Sequence, residues 1–317
     1  MNILVITTGG TIGSAFDGGA VDVSAARSAA VVEQYRTHRG GVTFAVQSPV
    51  NILSESVTAA ELNTLARVIL QIDDREYDGV IFTCGSDNLG YLSAFIGLLT
   101  CRWTKPVAVV ASDRVLSDPP ANGYPNFCCA VELIKRGERG AYVPYRNADG
   151  TMLIHAAADI RQADQSPDFF SFHAPFGVLE NGAVIQRERY IAQTIPAVFD
   201  RDHLPVIGDS IALIHPYPLL DYSALNLQGK KAVLHTLYHS ATLDSERAVT
   251  AFRPLIEAGV PVYLSSLRSG KALYKTTADM IAAGAIPLYD ISPECAYMKL
   301  LLAASQDQMP IRAFMEA

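Results

Sequence analysis

The chain has 317 residues, of which half are hydrophobic and 18% are charged, so it can bury a large core and disorder is not expected. Its net charge of −7 comes from well-mixed acidic and basic residues, and no basic tract favours nucleic acid or an acidic membrane surface as a partner. No apolar run is long enough for a membrane span, and the amino terminus enters a strand without a basic leader. We therefore expect a cytoplasmic protein that binds neither nucleic acid nor a membrane.

The cysteines and histidines give no sign of a metal centre. Nothing matches a C-x-x-C pair or zinc-ligand spacing, and the histidines are dispersed, so we expect no metal and no organic cofactor. An odd, scattered set of cysteines is typical of reduced core residues in a cytoplasmic protein. The five are Cys84, Cys101, Cys128, Cys129 and Cys295.

The first strand is predicted over Ile3–Ile6, an apolar β-branched run that suits the centre of a parallel sheet. Gly9 and Gly10 then allow a sharp turn that leaves Thr11 at the carboxyl end of the strand, where ligands bind in open α/β sheets. A tight turn of any α/β protein and a phosphate loop are the alternatives. The glycine spacing is neither that of dinucleotide binders nor that of a P-loop.

The first half of the chain continues as alternating strands and helices, which predicts a doubly wound, mostly parallel sheet. Three of its predicted strand ends carry polar clusters, at 54–56, 84–88 and 112–114. A serine beside an aspartate is by itself typical of a helix N-cap, but its repetition at one sheet edge favours a functional site. The expected strands are 42–46, 78–83 and 106–111, and the expected helices begin after Thr58 and at Leu89.

The second half is predicted to form a smaller α/β domain. Residues 142–164 show no strong periodicity, whereas 177–185 read as a hairpin with Asn181-Gly182 at its turn. We place an N-terminal domain at 1–190, a linker at 191–208 and a C-terminal domain at 209–317, with strands at 210–215, 232–235 and 260–264 and a helix at 245–258.

These motifs together resemble the bacterial-type L-asparaginase family, most closely its cytoplasmic type I group. Thr7–Ile12 resembles the family's T-G-G-T-I motif, and Thr83–Asn88 resembles its T-H-G-T-D-T motif. The stretch 112–130 and the closing segment 282–296 are similar to further family motifs, so the resemblance covers nearly the whole chain. It implies a larger N-terminal and a smaller C-terminal α/β domain, and a homodimer or homotetramer.

The resemblance also implies roles for individual residues. Thr11 corresponds to the nucleophile, which forms an acyl-enzyme and so divides one hard displacement into two easier steps. Ser86 and Asp87 correspond to the T-D pair of the second motif, which completes a triad with a lysine. The substrate-binding positions are Gly10, Ser54, Glu55, Gly85 and Ser112.

The chain also departs from the family pattern. Gln162 stands at the aligned position of the catalytic lysine, and a glutamine neither takes up a proton nor carries charge. The lid tyrosine has no counterpart, since Phe16 is the only aromatic residue between Ser14 and Ser24. The family's G-x-G-N segment corresponds to 237–242, where His239 is a candidate replacement base; a solvated or structural histidine is the alternative.

Two functions from different classes follow. The leading hypothesis is an asparaginase-like amidohydrolase that cleaves a C–N amide bond of a small amino-acid-like substrate, which need not be asparagine, through Thr11. The alternative is a catalytically impaired homologue that binds an amino acid as a sensor or regulatory subunit. The missing lysine and tyrosine favour the sensor, and the retained Thr11, Ser86, Asp87 and Ser54 favour the enzyme.

Overall fold

The structure is a computed structural model of the protein. It describes residues 1–10, 12, 14–17, 20–23 and 29–317, with the backbone alone for 14–17 and 20–23. The described chain divides into two compact units, Met1–Leu204 and Pro205–Ala317. The division lies within the segment 191–208, where the sequence predicts a linker.

The N-terminal unit is built on an eight-stranded sheet with the strand order β10-β9-β8-β7-β6-β5-β1-β4. Strands β4, β1, β5, β6 and β7 run parallel, and β7 to β10 follow one another antiparallel. A separate antiparallel pair, β2 and β3, lies between β1 and the first helix in sequence. The strands are β1 Asn2–Thr7, β2 Ser14–Asp17, β3 Ala20–Val23, β4 Thr43–Gln47, β5 Gly79–Thr83, β6 Val107–Val110, β7 Ala141–Arg146, β8 Met152–Ala156, β9 Gly177–Glu180 and β10 Ala183–Gln186.

The strand β1 occupies the position that its sequence predicts. Ile3 to Ile6 are fully buried, and β1 pairs in parallel with β4 on one side and β5 on the other. A strand covered on both faces has no polar face to present, so its sequence is apolar without alternation. The mixed α/β fold with a large, mostly parallel sheet is therefore confirmed.

Helices cover the sheet and begin where the sequence signals them. Thr58 and Glu61 form a reciprocal capping box at the start of α2, and the apolar positions of that helix are buried. The helix α3 spans Leu89–Leu99, as predicted, and ten of its residues are buried. The helices of this unit are α1 Ala30–His38, α2 Ala59–Gln71, α3 Leu89–Leu99 and α4 Gly123–Arg136.

The hairpin prediction at 177–185 is also confirmed. Strands β9 and β10 pair with Glu180 opposite Ala183, which leaves a two-residue turn. Asn181 and Gly182 have φ values of 50° and 77°, the left-handed conformation that a type I′ turn requires at both positions.

The segment 142–164, in which the sequence shows no strong periodicity, contributes two strands. β7 and β8 pair antiparallel, with Pro144 opposite Ile154. These strands carry no alternating pattern because β7 is buried over most of its length, and Pro144 stands in the middle of it.

The C-terminal unit holds a four-stranded parallel sheet with the order β11-β12-β13-β14. Its core is an apolar cluster around Val233, Phe252 and Leu264. The elements are β11 Ile211–Ile214, β12 Ala232–His235, α5 Ser245–Glu257, β13 Val262–Leu267, α6 Lys275–Ala282, β14 Ile286–Tyr289, α7 Pro293–Ala304 and α8 Ile311–Glu316. This smaller α/β unit was predicted, and each of its predicted strands is present.

Each unit buries one histidine in its interior. His155 on β8 is fully buried, with Nδ1 2.8 Å from the hydroxyl of Ser171, and burial lowers its pKa to about 3. His235 on β12 is also fully buried, with Nε2 2.9 Å from the hydroxyl of Tyr222, and burial lowers its pKa to about 4. Both side chains are therefore neutral and structural near neutral pH.

The buried histidines predict that stability falls with acidification. Below pH ~6.5 the unfolded chain protonates these histidines while the folded chain does not, so the free energy of unfolding decreases as the pH falls. Between pH 7 and 5 each histidine removes about 2 kcal/mol of stability. Urea unfolding at a series of pH values, followed by the fluorescence of Trp103, the single tryptophan, measures the free energy of unfolding of the N-terminal unit.

The variant His155→Asn should lower stability at pH 7 and flatten its dependence on pH. The exposed His38 provides the matched control, and His38→Asn should retain the wild-type dependence. An unchanged pH dependence in His155→Asn would show that His155 is not the group responsible.

Candidate active site at the carboxyl edge of the large sheet

Three loops meet at the carboxyl ends of β1, β4 and β5, and glycines allow the contact. Gly9 and Gly10 have φ values of 104° and 85°, which favour glycine. A Cβ built on Gly10 would lie 2.3 Å from the backbone nitrogen of Gly85, and one on Gly85 would lie 2.5 Å from Cβ and Oγ of Ser54. The loops around residues 10, 54 and 85 are therefore in direct backbone contact.

Hydrogen bonds of Thr8 attach the loop after β1 to the end of β5 and to the segment that follows β4. Its backbone N–H and its hydroxyl donate to the carbonyl of Thr83 over 3.0 and 2.8 Å, and its carbonyl accepts from the N–H of Ile52 over 2.6 Å. Thr11, the predicted nucleophile, lies outside the described residues, as does the side chain of Phe16. Gly10, the residue before Thr11, lies against Gly85.

Ser54 links the second and third loops through its side chain and its backbone. Its buried hydroxyl donates to Oδ2 of Asp87 over 3.1 Å, and its carbonyl accepts from the amide of Asn88. Asp87 is exposed and Ser86 is half-buried, so both side chains can meet a ligand. Glu55 is exposed on the same loop.

Gln162 holds the amino-terminal end of α3 against the loop that carries Ser86. Its side-chain oxygen accepts from the N–H of Gly90 over 3.0 Å, and its side-chain nitrogen donates to the carbonyl of Ser86 over 3.1 Å. Asn88 is the N-cap residue of α3, and its amide points instead to Ser54. Gln162 therefore caps α3 from another loop, and both ends of its amide are engaged by backbone.

Two other residues singled out in the sequence lie inside the protein. Ser112 is fully buried, and its hydroxyl donates to the carbonyl of Arg114 over 2.5 Å. This hydrogen bond stabilises the loop that contains both residues. Cys84, which replaces the family's histidine, is 1% exposed, and burial raises the pKa of its thiol to about 12. A thiol that stays protonated is a poor nucleophile.

His239 belongs to the C-terminal unit, where it is exposed in the loop after β12. Its role as a replacement base stays a prediction. Ser86, Asp87 and Gln162, by contrast, are brought together within the N-terminal unit.

A pocket of about 380 Å³ adjoins Ser86 and Asp87, and we call it the side pocket. Its wall also includes Gln162 and residues from two loops, at 113–114 and 163–169. The sequence did not single out the second loop. Its only signal in the sequence is the mostly polar stretch 162–168. The strand that precedes this loop, β8, was not predicted.

The family model described as Asparaginase, N-terminal matches residues 2–188, more than half of the chain. The chain belongs to the asparaginase family. This confirms the assignment made from the motifs at Thr7–Ile12 and Thr83–Asn88.

The asparaginase-family relatives include proteins with longer chains. The chain is 24% identical to a Glutamyl-tRNA(Gln) amidotransferase subunit of Pyrococcus furiosus over 264 residues, which cover 79% of this chain and 60% of the relative. For the corresponding amidotransferase subunit of Thermococcus kodakarensis the identity is 24% over 334 residues, covering 99% and 74%. The chain thus spans 60–74% of the length of these two relatives.

Solved structures share the fold. The thermostable L-asparaginase from Thermococcus kodakarensis matches with a TM-score of 0.76 and 19% identity, over 100% of this chain and 96% of that one. The probable cytoplasmic L-asparaginase from Campylobacter jejuni matches with a TM-score of 0.76 and 20% identity, over 99% and 98%. Within the part of the chain that the structure describes, no helix combines the length and apolarity that crossing a membrane requires.

The contacts of Gln162 predict a structural cost for its removal. Gln162→Ala leaves the N–H of Gly90 and the carbonyl of Ser86 without this partner, so we expect a loss of about 0.5–2 kcal/mol, as for other helix caps. Gln165→Ala, in the same loop but exposed, is the matched control and should be close to neutral. Urea unfolding followed by Trp103 fluorescence measures both, and equal effects of the two variants would contradict the capping role.

Proposed function

We propose that this asparaginase-family protein hydrolyses the side-chain amide of a small amino-acid-like substrate through an acyl-enzyme on Thr11. The observation that carries the proposal is the contact among the loops at Gly10, Gly85 and Ser54. It brings a buried serine hydroxyl, an exposed carboxylate and the residue that precedes Thr11 to one point at the carboxyl edge of the sheet. In open α/β sheets this edge is where ligands bind.

The roles in the reaction follow from the family resemblance and from the chemistry of the side chains. Asp87 binds the α-amino group of the substrate, and the hydroxyl of Ser54, which donates to Asp87 in the free protein, donates to the substrate carboxylate instead. The Thr11 oxygen attacks the amide carbon, the C–N bond breaks, and the proton of the hydroxyl goes to the leaving nitrogen. Water then hydrolyses the ester and restores the threonine.

The geometry of the glycine loops supports stabilisation of the charge that develops on the amide oxygen. Gly10 and Gly85 approach each other without side chains, which brings two backbone segments together at this point. Backbone donors in such loops are typical oxyanion-hole groups. We assign this role to the N–H groups beside Gly10 and Gly85.

We propose a small molecule as the ligand of this site, and the expectation of no nucleic-acid partner is opposed by the names of the relatives. The relatives from Pyrococcus furiosus and Thermococcus kodakarensis carry a tRNA in their name, so a tRNA partner is the competing expectation. The wall of the side pocket carries the carboxyl groups of Asp87, Asp113 and Asp164, and carboxylates repel the phosphates that dominate nucleic-acid binding. A homodimer or homotetramer and a cytoplasmic location belong to the same proposal.

The alternative is a protein that binds an amino acid without cleaving it, as a sensor or regulatory subunit. One observation favours it: Gln162, at the lysine position, uses its amide for backbone contacts and supplies no base. In that case Asp87 and Ser54 bind the ligand and Thr11 has no chemical role.

Replacement of Thr11 separates the two functions. Thr11→Ala removes the attacking hydroxyl, so release of ammonia or amine from a panel of amides, lactams and asparagine derivatives should fall by more than about 1,000-fold. Binding of the same compounds, measured by calorimetry, should persist. Thr11→Ser, which keeps a hydroxyl, should retain part of the turnover.

Two outcomes would contradict the mechanism. Turnover that survives Thr11→Ala would remove Thr11 as the nucleophile. Binding by the wild type without turnover of any compound in the panel would support the sensor instead.

The candidate base is tested in the C-terminal unit. If His239 reaches a neighbouring subunit's site and takes the proton from Thr11, His239→Ala should lower kcat by about 100-fold or more, the usual contribution of a general base. Ser240→Ala, at the next exposed position, is the control and should leave kcat unchanged. Undiminished kcat in His239→Ala would end this assignment.

A further inference from the structure

We infer that the side pocket receives a positively charged group attached to the amide nitrogen of the substrate, so that the preferred substrate is a secondary amide that releases a cationic amine. The inference rests on the proposed function for the position of the scissile bond. It adds the chemical nature of the group attached to the amide nitrogen.

The position of the pocket points to the leaving group. Ser86 and Asp87 belong both to the candidate active site and to the wall of the side pocket. The rest of the wall comes from Tyr145, Gln162 and the loops at 113–114 and 163–169. A ligand that places its amide beside Ser86 and its amino-acid portion on Ser54 and Asp87 can extend its amide nitrogen substituent into this space.

The size of the pocket exceeds what a primary amide needs. Its volume of about 380 Å³ lies within the range of sites for small organic ligands, about 300–1,000 Å³. Ammonia, the leaving group of a primary amide, occupies about the space of one water molecule, roughly 30 Å³. The space is thus suited to a larger leaving group.

The charges on the wall select a cation. Three carboxyl groups line the pocket, those of Asp87, Asp113 and Asp164, against one guanidinium. That guanidinium, of Arg114, is engaged by carboxylates: it lies 3.2 Å from Asp118 and 3.8 Å from Asp113. The pocket therefore has a surplus of negative charge.

The aromatic part of the wall suits an aliphatic chain. Tyr145 and Phe169 are 1% and 3% exposed and their ring centroids lie 4.6 Å apart, so they form an apolar floor under the pocket. Methylene groups can pack on the part of such rings that borders a pocket. An alkyl chain that ends in an ammonium group matches both the rings and the carboxylates.

The reaction balances without any further reactant. The Thr11 oxygen bonds to the amide carbon, the C–N bond breaks, and the hydroxyl proton goes to the departing amine. Water then cleaves the ester to a carboxylic acid and the free threonine. The products are an acidic amino acid and an amine that carries a second positive charge.

The experiment compares three amides that differ only on the amide nitrogen. These are asparagine, N-aminobutyl asparagine and its neutral isostere N-pentyl asparagine. We expect kcat/KM for the aminobutyl compound to exceed that for the pentyl compound by up to about fivefold, the upper end of the contribution of one exposed ion pair. A pentyl compound that is cleaved equally well or better would overturn the inference.

Asp164 provides the variant that tests the pocket itself. It is exposed and outside the proposed catalytic and amino-acid-binding groups, so Asp164→Asn should reduce the preference for the aminobutyl compound by about fivefold and leave asparagine hydrolysis unchanged. Asp113 is less suitable because its carboxylate also accepts from the N–H of Asn122 over 2.9 Å. Asp202→Asn, another exposed carboxylate of the same unit, is the control and should retain the preference.

Binding to the Thr11→Ala variant distinguishes failure of this inference from failure of the proposed function. If the wild type cleaves none of the three amides but Thr11→Ala binds the aminobutyl compound more tightly than the pentyl compound, the proposed hydrolysis is wrong and the choice of a cationic ligand is supported. If Thr11→Ala binds the two equally, the inference is overturned, whether or not asparagine is hydrolysed.

Discussion

The candidate site depends on the direct backbone contact of three loops at the carboxyl edge of the large sheet. Gly10 lies against Gly85, and Gly85 lies against Ser54, with no room for a Cβ at either glycine. The parallel pairing of β4, β1 and β5 brings the three loops to one edge, and the hydrogen bonds of Thr8 hold the middle one in place. Without this contact, the carboxylate of Asp87 and the position next to Gly10 would not belong to the same site.

Gln162 has a structural role at a position where the family resemblance implies a catalytic one. At the position where the family resemblance implies a lysine, the chain has an amide that joins the start of α3 to the carbonyl of Ser86. An amide both accepts and donates, so it meets an N–H and a carbonyl together, whereas a lysine only donates. The loop that carries Ser86 and Asp87 is thus held in place by a group that supplies no base, and proton transfer needs a different group.

The negative charge of the side pocket comes from carboxylates on three separate segments of the chain. Asp87, Asp113 and Asp164 follow different strands and share one pocket. The guanidinium among them, that of Arg114, lies near Asp113 and Asp118, so it offsets the charge of Asp113 but not that of Asp87 or Asp164. In this asparaginase-family fold the side pocket therefore has a predominantly acidic wall, which is the basis of the proposed cationic leaving group.

The local sequence determined the elements whose signals are short-range. The apolar run Ile3–Ile6 specifies a strand buried on both faces, Thr58 and Glu61 specify a helix start, and Asn181-Gly182 specifies a turn, because each depends on residues a few positions apart. The motifs around Thr11 and Asp87 were enough to identify the family and the sheet edge that bears the site.

Only the tertiary structure decided the contacts between distant segments. The strands β7 and β8 were not recognised because burial removes alternation. The loop at 163–169, which follows β8, was therefore not recognised either. That Gln162 caps α3, that His155 is buried against Ser171 and that Asp164 shares a pocket with Asp87 all depend on pairings across 16 to 77 positions. No local pattern encodes such pairings, because they arise from the order and register of strands in the folded sheet.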